Sequence, residues 1–221
     1  MKGLLAENFL THYNILTTLD IDKYIQRGEN VEFDVDDCKD TGEAILPKGS
    51  GKLAVKNEHG SFCLLHYDMF IGACDRPRNF QSGRKRCDYA LWHDNREGTC
   101  LLCEITSAYG NEKNLEIPVK GFDGGKLQKA ECQLAESLKT LVDVPAIKTY
   151  IDAYSLKICV MAYKVIPYKE KSLNNFVSPF RRYSEIESRE TKMNGAEFES
   201  EEINAMGFSF KRVSYDNQLY I

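Results

Sequence analysis

Nowhere does this chain hold a run near the roughly 18 apolar residues of a membrane-spanning helix. A helical membrane protein is thereby excluded. The N-terminus also lacks the apolar core of a signal peptide. Met1-Lys2-Gly3-Leu4-Leu5-Ala6 meets Glu7 and Asn8 at once, so a cytoplasmic location is expected. Cysteine is too sparse for a disulfide scaffold, at eight in 221 residues. Cys63, Cys103 and Cys159 sit in apolar, strand-like runs, where a thiol is a small hydrophobe.

Metal-ligand spacings are equally scarce. Cys100-Leu-Leu-Cys103 has the spacing of a zinc knuckle, but residues three apart on a strand face opposite ways. No second pair follows. His12, His59, His66 and His93 are scattered, and His93 reads as a turn residue. The acidic run at 34–40 has no calcium-loop spacing and belongs to a broken stretch, 20–50, read as loop or solvated face. Gly121-Phe-Asp-Gly124-Gly125 lacks the lysine and spacing of a phosphate-binding loop, and reads as a turn into a helix. Positive charge is not in excess either: the net charge is −4. Nucleic-acid binding then depends on local charge. The segment from Arg76 to Arg86, ending in Arg84-Lys85-Arg86, supplies five positive charges directly before Asp88.

What is present is a chain of one-domain length, 43% hydrophobic, with a clear order of elements. Apolar spacing predicts a helix over 3–19. Residues 52–55 and 61–67 flank Asn57-Glu58-His59-Gly60 and predict a hairpin. A second hairpin is expected from 85–92 and 99–106. Residues 124–142 carry Leu127, Ala130, Leu134, Leu138 and Leu141 on one stripe, with Lys126, Lys129 and Gln133 on an adjoining polar one. Pro145 is expected to follow that helix. A buried strand follows over 156–165, then a polar section from 168 to 206, then short strands at 208–212 and 219–221. Phe62, Tyr67 and Phe70 belong to the core.

The second hairpin places Asp88 on one strand and Glu104 on the next. Carboxylates on apolar paired strands are costly unless compensated. A divalent cation such as Mg²⁺ or Mn²⁺ is the expected compensation. Glu104 and Thr106 are two apart and share a sheet face.

An acid on one strand, then acid-x-residue on the next, then a helix with a polar stripe, resembles the PD-(D/E)XK nuclease superfamily. The matching residues are Asp88, then Glu104-Ile105-Thr106, then Lys126, Lys129 and Gln133. Glu7 matches the acid that an N-terminal helix often supplies. The resemblance implies an α/β fold with a mixed central sheet flanked by helices, restriction-endonuclease-like. Residues 1–165 would form the nuclease-like core, and 168–221 a C-terminal extension of one domain. It also implies metal-dependent phosphodiester hydrolysis, on DNA before RNA, with Asp88 and Glu104 as metal ligands. Arg84, Lys85 and Arg86 would contact phosphates. Thr106 departs from the pattern, because a lysine belongs there. Lys126 or Lys129 is expected to restore that charge. The alternative is a degenerate nuclease fold that binds nucleic acid, or a protein partner in a larger complex, without cutting.

Overall fold

The computed structural model describes residues 1–16, 18–36, 42–75, 86–167 and 195–221. Arg84, Lys85 and most of the polar section beyond 168 lie outside these residues. The strands are β1 (Ile25–Gly28), β2 (Glu32–Val35), β3 (Ile45–Leu46), β4 (Leu53–Lys56), β5 (Phe62–His66), β6 (Tyr89–His93), β7 (Thr99–Tyr109), β8 (Leu156–Ile166), β9 (Ala196–Phe198), β10 (Ser209–Ser214) and β11 (Leu219–Tyr220). The helices are α1 (residues 2–12), α2 (Tyr67–Asp75), α3 (Gly125–Val142), α4 (Pro145–Asp152) and α5 (Glu201–Ala205).

A mixed sheet of seven strands runs β1-β5-β6-β7-β8-β10-β9. The pairs from β1 through β7 are antiparallel, while β8 is parallel to both β7 and β10. Both faces of this sheet are covered. On one, Cys100, Leu102 and Ala108 of β7 and Cys159 and Met161 of β8 pack under Ala130, Leu134 and Leu138 of α3, beside Leu5 and Phe9 of α1. On the other, Leu101, Cys103, Ile158 and Val160 meet Phe33, Val35, Leu53 and Val55. Those last four belong to a second sheet, ordered β11-β4-β2-β3. Strict alternation along β7 is what lets one strand serve two cores.

The expected mixed α/β architecture is therefore present. Several local expectations are corrected. The first helix ends at His12 rather than reaching 19, because Asn14 takes a left-handed conformation at φ 54°. The stretch 20–50 is not loop: it contains β1, β2 and β3, and Asp34 within it is fully buried. Its acids masked alternation that tertiary packing uses. The 57–60 turn exists, but its arms do not pair. β4 joins β2 and β11, whereas β5 joins β1 and β6. Pro145 follows α3 as expected and itself starts α4, since a helix's first turn needs no N–H there.

The helix over 125–142 and the strand over 156–166 fall where the spacing put them. Gly125 is required at the α3 entry. Its φ is +69°, and a Cβ there would lie 2.4 Å from the Leu115 carbonyl oxygen. Phe62, Tyr67 and Phe70 are fully buried. His93 is no turn residue. It ends β6 fully buried, with Nδ1 accepting from the Thr99 N–H at 2.9 Å and Nε2 bonded to Asn57 Oδ1 at 2.9 Å.

Candidate functional site

β6 and β7 pair in the register Tyr89↔Cys103 and Leu91↔Leu101. Asp88 stands just before β6 and stops the ladder from continuing regularly. Its N–H donates to the Cys103 carbonyl at 3.1 Å, and its carbonyl accepts the Tyr67 N–H at 2.9 Å, where α2 begins. The Asp88 side chain then does what a backbone carbonyl would do further along. Oδ2 accepts the Ile105 N–H at 2.8 Å. The carboxylate is thereby fixed against the β7 backbone beside Glu104.

Glu104 is 8% exposed. Its alternation partners Cys100, Leu102 and Ala108 all face α3, so Glu104 and Thr106 face α3 too. Both carboxylates act on the same two buried thiols. Burial pushes Cys87 and Cys103 well up, and the negative charges of Asp88 and Glu104 push them further.

α3 covers this place and contributes three anchors. Ser137 Oγ accepts the Cys87 N–H at 2.8 Å. Gln133 Nε2 donates to the Arg86 carbonyl at 2.6 Å, while its Oε1 is buried with no hydrogen-bond partner among the described residues. Lys126 Nζ donates to the Ser107 carbonyl at 2.6 Å, next to Thr106 in β7. Lys129 is exposed. The helix thus brings Gln133 and Lys126 to the strand ends and leaves Lys129 in solvent. Arg86 pairs with Asp68 of α2, Nε to Oδ1, at 3.0 Å. Glu7 is exposed, while its neighbours Leu5 and Phe9 are buried.

The parallel neighbour β8 adds residues that sequence spacing did not single out. Met161 lies opposite Glu104, and Tyr163 opposite Thr106. The Tyr163 phenol is raised above its ordinary range, by burial first and then by its hydrogen bond to Glu112. Glu112 also accepts from Arg212 Nη2 of β10 at 3.0 Å. Arg212 carried only one sequence signal, its position in an alternating strand. Its acid partner lies 100 residues away, on the connection after β7.

Among the described residues, no group of three or more His, Cys, Asp or Glu side chains forms a metal cluster. The oxygen donors on neighbouring positions, just before β6 and on β7, are those of Asp88 and Glu104. Mg²⁺ is compatible with such a pair, since it keeps several waters and is commonly held by one or two carboxylates. No helix among the described residues is long and apolar enough to cross a membrane. Searches against family models, curated proteins and solved structures give no match to this chain.

Proposed function

We propose that this chain is a divalent-metal-dependent nuclease of the PD-(D/E)XK type, hydrolysing phosphodiester bonds in DNA before RNA. The observation that carries the reading is the Asp88–Ile105 hydrogen bond, which seats one carboxylate beside Glu104. The chain order supports it. An antiparallel run β5-β6-β7 is followed by α3 and by β8, parallel to β7. The restriction-endonuclease-like arrangement that the motif implies calls for an order of this kind.

Asp88 and Glu104 would hold Mg²⁺ or Mn²⁺. When bound, such a cation supplies Lewis acidity to a phosphoryl oxygen and a more acidic water. The other residues have separate work. Thr106 can hold a water through its hydroxyl but brings no charge. Lys126, seated at Ser107, brings positive charge to the end of the same strand, where it can offset charge developing on the phosphate. Gln133 holds the Arg86 backbone. Arg84, Lys85 and Arg86 are assigned to phosphate contacts, which give affinity without sequence preference.

The test is cleavage of a labelled oligonucleotide with Mn²⁺, alongside Mn²⁺ uptake. Glu104→Gln should abolish cleavage and weaken uptake. Cleavage that survives this change would remove the assignment. A second reading, a nuclease fold that binds without cutting, is favoured by Thr106 and by the use of Asp88 Oδ2 as a backbone acceptor. Mn²⁺ uptake with no cleavage of any strand form would establish it.

A further inference from the structure

Tyr109 closes β7 five residues beyond Glu104, an odd spacing that roots its ring on the opposite sheet face at the strand's end, and the residue is 55% exposed. At about 3.3 Å per residue, the ring stands roughly 17 Å along the strand from Glu104. Lys126 Nζ lies 5.6 Å from the ring centroid while it holds the Ser107 carbonyl. Ile117, on the connection after β7, is also 55% exposed. An exposed aromatic ring and a flanking cation are the parts of a base-stacking platform.

Local charge fits a polyanion, although the whole chain is acidic. The stretch 110–129 carries Lys113, Lys120, Lys126 and Lys129 against Glu112, Glu116 and Asp123. Arg212 takes up two of those acids, reaching Glu112 at 3.0 Å and Glu116 at 4.0 Å. The stretch carries one more lysine than acids, and Lys126 is the cation placed at the Tyr109 ring.

We infer that Tyr109 and Lys126 form a stacking site for an unpaired base, so that the strand led to Asp88 and Glu104 is single-stranded nucleic acid. This rests on the nuclease reading of those two acids. In a duplex the base faces are already stacked on one another, and only an unpaired base can offer its face to the ring.

Fluorescence anisotropy of the full chain tests it, with Ca²⁺ in place of Mg²⁺, on labelled dT15, U15 and a hairpin duplex. Tyr109→Ser should weaken dT15 or U15 binding about tenfold, the size of one lost base–aromatic stack. Tyr109→Phe should stay within about twofold of the parent, because the ring face remains. The tighter of the two strands identifies the sugar. Unchanged affinity in Tyr109→Ser, an equal loss on the duplex, or no binding of either single strand by the parent chain would each overturn the inference. Cleavage and Mn²⁺ uptake lost in Glu104→Gln judge the acid pair separately. If they are lost while Tyr109→Ser binds normally, the stacking site alone is wrong.

Discussion

Asp88 Oδ2 accepts the amide N–H of Ile105 at 2.8 Å, so one side chain fastens two strands and places a charge beside Glu104. These two jobs can be separated by substitution. Asp88→Asn keeps an acceptor oxygen and should retain stability while losing Mn²⁺ affinity. Asp88→Ala orphans the amide and should cost a further ~1–3 kcal/mol in urea unfolding. Equal stability of the two variants would show that the hydrogen bond contributes nothing.

Glu104 makes the sharper chemical prediction. Residues one step removed from a metal commonly change its affinity 10–100-fold, so loss of a direct ligand should exceed about a hundredfold. Isothermal titration with Mn²⁺ on Glu104→Gln measures this. Unaltered binding would exclude Glu104 as a ligand.

The two helix lysines should differ. Lys126 reaches β7, and Lys129 is exposed. Lys126→Met should lower single-turnover cleavage by about tenfold or more, as loss of an electrostatic stabiliser does. Lys129→Met should leave it nearly unchanged. The reverse ranking would put the missing charge on Lys129.

Asp34 should matter for folding rather than chemistry. It is fully buried, and its Oδ2 accepts from Gly49 N–H at 2.9 Å, Gly51 N–H at 2.8 Å and Tyr215 O–H at 2.9 Å. Asp34→Ala strands three donors and should cost more than ~3 kcal/mol. Thermal unfolding reads this directly, and a small shift would mean the 47–51 turn is held by other contacts.

Alkaline pH should loosen the core before it reaches the thiols. Cys87, Cys103 and Cys159 are raised well above their ordinary value of 9.0 by burial, and Cys100 is pushed up to about 12. An unfolded thiol ionises near 9.0 while the folded one keeps its proton. The Cys100 contribution is complete below pH 9 and is lost as pH rises towards about 12, and those of the other three are likewise lost as pH rises above 9. Peptide mapping after thiol labelling at pH 8 should find these four unmodified. Labelling of any of them without unfolding would contradict their burial.

Much of the site's outline was local and therefore legible. Leu134, Leu138 and Leu141 recur at helical spacing because the helix must bury one face, and β7 is a nearly continuous apolar run because both its faces are covered. The separation of Asp88 and Glu104 followed from strand–turn–strand order alone. Which residues meet across long separations was not legible. Arg212 and Glu112 are 100 residues apart, and Tyr215 and Asp34 are 181 apart.

The sequence by itself determined the α/β class, the main helix, the β6–β7 pairing and the presence of two acids where charge is expensive. Short-range periodicity and turn chemistry are enough for these. Tertiary structure alone decided that β4 and β5 enter different sheets, that Asp34 is interior, and that Lys126 rather than Lys129 touches β7. Strand partners and side-chain reach are chosen by the cores that form when both faces of the central sheet are covered. That choice depends on contacts no local window contains.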